Sequence, residues 1–163
     1  MPGSKHKIMD AAAAAQKARA VQSNGGKVVF TNGCFDLLHA GHVDLIERAR
    51  ALGDFLVLGL NSDASVRSLD KGEDRPLVPQ EQRARVVAGL GAVDAVVIFD
   101  EPTPAELIAL IGPDVLVKGG DWPEEAIVGA DVVRARGGSV HSLELVPGLS
   151  TTGLVQRLRK GRR

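Results

Sequence analysis

At 163 residues, with 44% hydrophobic residues and 20 basic against 20 acidic side chains, the chain is long enough for one domain with a sizeable core and too short for two ordinary ones. Its single cysteine, Cys34, excludes an internal disulfide framework and a cysteine-cluster metal site. The apolar runs 55–60 and 96–99 fall far below the roughly 20 residues needed to cross a bilayer, and the alanine run 11–15 has neither the strongly apolar core nor the cleavage site of a signal peptide. The expectation is a soluble cytoplasmic protein with no membrane association.

In chain order, residues 10–21 predict a short alanine-rich helix stopped by Asn24-Gly25-Gly26. Residues 28–31 form an apolar run ending in Asn32-Gly33, and the helical recurrence of Val43, Ile46 and Ala49 predicts a helix over 41–52, ended by Gly53. The uninterrupted segment 55–60 suits a strand covered on both faces. Asn61 and Ser62 can cap a short helix toward Leu69; after a polar connection over 71–79, Pro79-Gln80-Glu81 opens a helix through Leu90. Strands are expected at 92–99 and 114–117, with a helix between them that starts at Thr103-Pro104 and ends at Gly112-Pro113. An ill-defined helical stretch to about Arg136, a strand over 139–145 and a last helix with Leu154, Val155 and Leu158 on one face complete the pattern. This alternation predicts a doubly wound, mostly parallel α/β domain. We divide it into an N-terminal tail and short helix (1–25), the domain proper (26–158) and a basic tail (159–163). Residues 157–163 carry five basic side chains and no acid, which suits either contact with RNA or anionic lipid, or a solvated helix end at the negative pole of its dipole.

In a parallel sheet, ligands bind beyond the carboxyl ends of the strands. The segment after the first strand, Thr31 to His42, holds neither a P-loop nor the G-x-G-x-x-G fingerprint. It does place two imidazoles, His39 and His42, on one face of a helix start, where free amides add partial positive charge and Gly41 lets a ligand approach the backbone. The pair suits a phosphate; two histidines alone make a poor zinc site, and unrelated surface or core histidines are the alternative. Ser150, Thr151 and Thr152 open the last helix, as caps only or as a second phosphate cradle. Lys71, Arg75, Arg83 and Lys118 are cation candidates. Lys118 ends an apolar strand, where it needs an anionic partner, Asp121 or a ligand phosphate. Trp122 packs or covers a base.

The run from Val28 to His42, with its HxGH signature at 39–42, resembles that of the cytidylyltransferase-like nucleotidyltransferases, and Leu149-Ser150-Thr151-Thr152 resembles their second signature. Asn61-Ser62-Asp63, Arg75-Pro76, Glu81-Gln82-Arg83 and the segment 116–121 resemble more closely the D-glycero-beta-D-manno-heptose 1-phosphate adenylyltransferases, over residues 26–158. The sequence departs from that pattern at Asp70, which intervenes between Leu69 and Lys71.

The resemblance implies a Rossmann-like fold and transfer of adenylate from ATP to the heptose 1-phosphate, with release of pyrophosphate, for lipopolysaccharide inner-core synthesis. It implies phosphate contacts from His39 and His42, closure by Lys71, and Lys118 bridging donor and acceptor. Asn32, Gly33, Cys34, Phe35, Gly41, Gly119 and Asp121 would line the nucleotide site, and Ser150, Thr151 and Thr152 would hold its distal phosphates. Asp36, Asn61, Asp63 and Arg75 are the substrate-side residues, although Asp36 also suits ordering of its loop. Cys34 reads as a packing residue. Magnesium accompanies ATP, with no protein ligands assigned. A homodimer and a separate sugar kinase upstream are the expected partners. The enzymatic alternative is cytidylyl transfer to glycerol 3-phosphate or another small phosphorylated alcohol. A nucleic-acid module is disfavoured by one Trp, four Phe and no Tyr.

Overall fold

The computed structural model describes residues 3–69 and 74–161. Its strands are β1 (Val28–Gly33), β2 (Phe55–Asn61), β3 (Ala95–Phe99), β4 (Val115–Gly119) and β5 (Ser139–Leu143). Its helices are α1 (Ala11–Ser23), α2 (Ala40–Arg50), α3 (Asp63–Ser68), α4 (Gln80–Ala88), α5 (Ala105–Ile111), α6 (Ala130–Ala135) and α7 (Thr151–Arg159), with 3-10 turns at Ser4–Lys7 and Glu124–Ala126. The strands form one parallel sheet in the order β3-β2-β1-β4-β5. The chain winds outward from β1 to β3, then returns to β4 on the other side of β1, so the order reverses between β1 and β4. A crevice opens at such a switch point.

The strands read as continuous apolar runs because both faces are covered. On one face Val28, Phe30, Val57 and Leu116 pack with Ala14 and Ala18 of α1, Ile108 of α5 and Val133 of α6. On the other, Val29, Leu56, Leu58 and Val117 pack with Ile46 and Ala49 of α2 and Ala84 and Val87 of α4. Full burial of each such Val, Leu, Ile or Phe contributes about 1.5–3 kcal/mol. Polar groups set the ends. Asp10 Oδ1 accepts from Ala13 N at 2.7 Å to cap α1, and Ser62 Oγ accepts from Ser65 N at 3.1 Å to cap α3.

Three of the differences from the sequence expectation have a visible cause. β3 starts at Ala95 rather than residue 92, because Asp94 Oδ2 accepts from Leu56 N (2.8 Å) and Arg50 Nε (2.9 Å), taking a ladder amide that a strand residue's carbonyl would have taken. The helical stretch before Arg136 is a 3-10 turn and α6, separated by Gly129 at φ 87. The N-terminal segment is packed into the domain, so residue 26 marks no break in packing. Ile8 bridges the outer edge of β3 at Val96, Met9 N donates to Val96 O at 3.0 Å, and Lys7 Nζ donates to Val93 O at 2.6 Å. Ala14, Ala15 and Ala18 are fully buried, their small side chains letting α1 lie close to the sheet. By contrast α7 buries no residue completely, and Leu158 is 74% exposed. Among the described residues no helix is long and apolar enough to cross a membrane.

Candidate active site

A cavity of about 480 Å³ opens at the switch point. Asn32 to Asp36 form its floor, His42 and Leu45 of α2 one wall, Lys118 and Gly119 at the end of β4 another, and Thr151 and Thr152 of α7 its rim. The two signatures, more than a hundred residues apart in sequence, therefore meet on one side of the sheet. Gly41 makes the meeting possible. A Cβ there would lie 3.1 Å from the His39 ring and 3.2 Å from Leu149 Cβ, so a side chain would wedge the start of α2 away from the segment that leads into α7. Thr151 Oγ1 also reaches Leu37 O at 3.4 Å.

The histidine pair is fixed by the backbone it caps. His39 is the N-cap of α2, and its Nδ1 accepts from Gly41 N at 3.1 Å; His42 Nδ1 accepts from His39 N at 3.3 Å. The rings stack with centroids 3.9 Å apart. An Nδ1 that accepts carries no proton, so each neutral imidazole holds its proton on Nε2, as a donor. Burial pushes the His39 imidazole below its ordinary range, which favours that neutral form. The pair thus presents donors that carry no fixed charge of their own, next to the partial positive charge of the first turn of α2.

The floor is held under strain. Phe35 sits at φ 46, a left-handed conformation that a bulky side chain adopts only when its surroundings impose it. Its ring folds back over Gly33, where any Cβ would meet Phe35 Cε2 at 2.9 Å, and lies 5.2 Å from the His42 ring. Two buried charges hold the neighbouring loops. Asp36 accepts from Arg75 Nε at 2.5 Å, from Leu77 N at 2.9 Å and from Val78 N at 2.9 Å, with its side chain fully buried. Arg83 is also fully buried. It donates to Val78 O (2.8 Å), Cys34 O (2.6 Å), Asn61 O (2.8 Å) and Asp63 Oδ1 (2.7 Å). One guanidinium thus ties together the loops after β1 and β2 and the segment before α4.

Of the residues singled out in sequence, Asn32, Gly33, Cys34, Phe35, Asp36, His42, Arg75, Lys118, Gly119, Thr151 and Thr152 line this cavity. Gly41 and His39 adjoin His42 at the start of α2 but do not line it. Ser150 is exposed, and its Oγ accepts from Gly153 N at 3.0 Å as the cap of α7. Asp36 has both carboxylate oxygens committed to the protein, which matches loop ordering rather than substrate contact. Asp63 is engaged by Arg83 and lines neither this cavity nor its neighbour below. Asp121 is exposed on the loop after β4, also outside both. Trp122 is half-exposed and donates from Nε1 to Gly119 O at 3.2 Å, at the cavity's margin. Lys71 lies outside the described residues, as does the extra Asp70. Arg83 as the organiser of the floor was not legible; the available signal was an arginine flanked in its helix by the apolar positions Ala84 and Val87.

Beside this site lies a second cavity of about 180 Å³ that shares Asn32, Gly33, Cys34 and Lys118 and is otherwise bounded by Asn61, Leu69, Val128 and the segment 102–104.

Comparisons with known proteins agree with this architecture. A lipopolysaccharide core biosynthesis protein from Thermoplasma volcanium shares the fold, with a TM-score of 0.60 over 75% of this chain and 98% of that one, at 24% identity. The bifunctional protein HldE of Magnetococcus marinus is 57% identical over 152 residues, covering 93% of this chain and 31% of the relative. That of Mesorhizobium japonicum is 55% identical over 157 residues, covering 96% and 32%. The chain spans less than a third of the length of these relatives. Residues 30–151, from the middle of β1 to the first turn of α7, match the cytidylyltransferase-like family model, and the chain belongs to that family.

Proposed function

We propose that the chain transfers the adenylyl group of ATP to D-glycero-beta-D-manno-heptose 1-phosphate, giving ADP-heptose and pyrophosphate for the inner core of lipopolysaccharide. The observation that carries this reading is the convergence of His42 with Thr151 and Thr152 on one cavity, over a floor built by residues 32–36. The relatives at 55–57% identity support the subgroup.

An oxygen of the sugar phosphate attacks the alpha phosphorus in line, and the bond from that phosphorus to the bridging oxygen of pyrophosphate breaks. The attacking group is already anionic, so no enzyme nucleophile or general base is required, and catalysis comes from positioning and charge stabilisation. His42 donates from Nε2 to the departing phosphates, and His39, the cap of α2, stacks against its ring. Thr151 and Thr152 hold distal phosphate oxygens with hydroxyl and first-turn amide groups. Lys118 stands where donor and acceptor phosphates meet. A single well-aimed donor of this kind contributes roughly 3–4 kcal/mol to the transition state.

Magnesium fits as a passenger on the triphosphate. The cavity wall supplies imidazole, ammonium, guanidinium and hydroxyl groups, an anion-binding set, and the described residues contain no group of three His, Cys, Asp or Glu suited to a metal ion. Bound through phosphates and water, the ion would screen the charge of ATP and of the leaving pyrophosphate. In this reading the enzyme works in the cytoplasm as a homodimer, supplied with its sugar phosphate by a sugar kinase.

The test is to incubate the purified protein with magnesium, either heptose 1-phosphate or glycerol 3-phosphate, and either ATP or CTP. ADP-heptose and pyrophosphate are expected with ATP. A clear preference for CTP with glycerol 3-phosphate would replace this reading by the cytidylyltransferase alternative.

A further inference from the structure

α7 carries Thr151 and Thr152 to the rim of the active-site cavity, yet little holds it there. Its fixed points lie near its two ends. At the start, Thr151 Oγ1 reaches Leu37 O, and Leu149 lies beside Gly41. At the far end of the nine-residue helix, about 12 Å away, Arg159 Nη2 donates to Asp74 Oδ2 at 2.8 Å. Between these points Leu154 and Val155 are only half-buried, and no residue is completely covered. An element with so little buried apolar surface belongs to the low-stability end of a fold.

Asp74 is itself joined to the cavity floor. The next residue, Arg75, lines the cavity, and its Nε donates to the buried Asp36 carboxylate, which also accepts from the amides of Leu77 and Val78. The segment 75–78 is therefore pinned to the floor, and Asp74 stands at its edge. Among the described residues, the contact with Asp74 is the one ion pair that α7 makes, although Arg157 and Lys160 belong to the same basic stretch. The two side chains are 67% and 71% exposed, so their pairing adds little to global stability. What it governs is where a weakly held helix rests.

We propose that Asp74 and Arg159 are positioning residues: their ion pair latches the far end of α7 to the segment pinned on the cavity floor and so keeps Thr151 and Thr152 over the triphosphate of the bound nucleotide. That nucleotide is ATP on the adenylyltransferase reading above, on which the latch rests. Neither residue lines the cavity. Their pairing raises the fraction of molecules with α7 in place, and apparent affinity for the nucleotide scales with that fraction. Binding therefore responds to the pair, while turnover at saturating ATP does not. Salt weakens the latch, because exposed charges are screened.

The experiment measures binding of a non-reactive ATP analogue with magnesium by titration calorimetry, at low salt and at about 1 M, where the screening length falls to about 3 Å. The full chain is compared with Asp74→Asn, Arg159→Gln and the exchanged pair Asp74→Arg with Arg159→Asp. At low salt each single variant is expected to bind about threefold more weakly, a loss of ~0.7 kcal/mol and within the range of an exposed ion pair. The exchanged pair recovers affinity to within about twofold of the unaltered protein, and at high salt the single variants match it. Turnover at saturating ATP stays within about twofold, and Tm moves by less than about 3 °C. Single variants that bind as tightly as the unaltered protein, an exchanged pair that recovers nothing, or a loss that salt does not diminish would overturn the latch and leave the adenylyltransferase reading intact. If the unaltered protein ignores the ATP analogue but binds one of CTP, that reading falls, and the same comparison made with the CTP analogue decides the latch. Binding of neither analogue overturns both.

Discussion

Replacing Arg83 by Met tests whether the buried guanidinium holds the floor together. Methionine fills most of the volume but donates nothing, so the carbonyls of Cys34, Asn61 and Val78 and the carboxylate of Asp63 each lose a donor. Asp63 is 27% exposed and can turn to water. The carbonyls are deeper, and each buried acceptor left unmet costs about 1–3 kcal/mol. The neighbouring cavities can admit water at Cys34 and Asn61, which places the sum near the lower end, about 3 kcal/mol. For a domain of this size that lowers Tm by about 10 °C. Urea and thermal unfolding of the two proteins side by side give the number, and turnover should fall with it because Phe35 loses its support. A loss below about 1 kcal/mol would refute the reasoning, since the four bonds would then be carrying little of the fold.

Other perturbations separate catalysis from folding. His42→Ala should lower turnover by about 100- to 1000-fold with a small change in Tm; a collapse in Tm with unchanged turnover per folded molecule would point to a purely structural pair. Gly41→Ala should raise the KM for ATP, because its methyl group would press on both the His39 ring and Leu149; an unchanged KM would show that the contact between α2 and the segment before α7 is not needed for binding. Acidification offers a third check. The folded state holds the His39 pKa below its ordinary value, so below about pH 6.5 the unfolded chain takes up the proton more readily and stability falls as pH drops through that window. Melting curves between about pH 7.5 and 5 should therefore show a steeper loss in the unaltered protein than in His39→Gln, and parallel curves would contradict the assignment.

The alternation of apolar runs and helical periods made the α/β architecture legible, because strands buried on both faces leave no polar positions to confuse the pattern. Strand order was not legible. It depends on which side of β1 the chain returns to after β3, and composition carries no trace of that. The N-terminal helix looked peripheral for a related reason: its buried positions are alanines, which give no strong apolar stripe yet pack closest to the sheet. At the site, the two signatures could be placed together from their positions at the ends of the first strand and the last helix. The left-handed Phe35 and the fourfold role of Arg83 could not, since a phenylalanine seldom adopts that conformation and an arginine in a short helix reads as a surface residue.

The account depends on α2 and α7 gripping the same triphosphate. Amide hydrogen exchange, measured with and without magnesium and a non-reactive ATP analogue, reports on both helix starts in one experiment. Slowed exchange at residues 39–42 together with 151–154 is the predicted outcome, and slowing confined to one of the two segments would contradict a shared phosphate site.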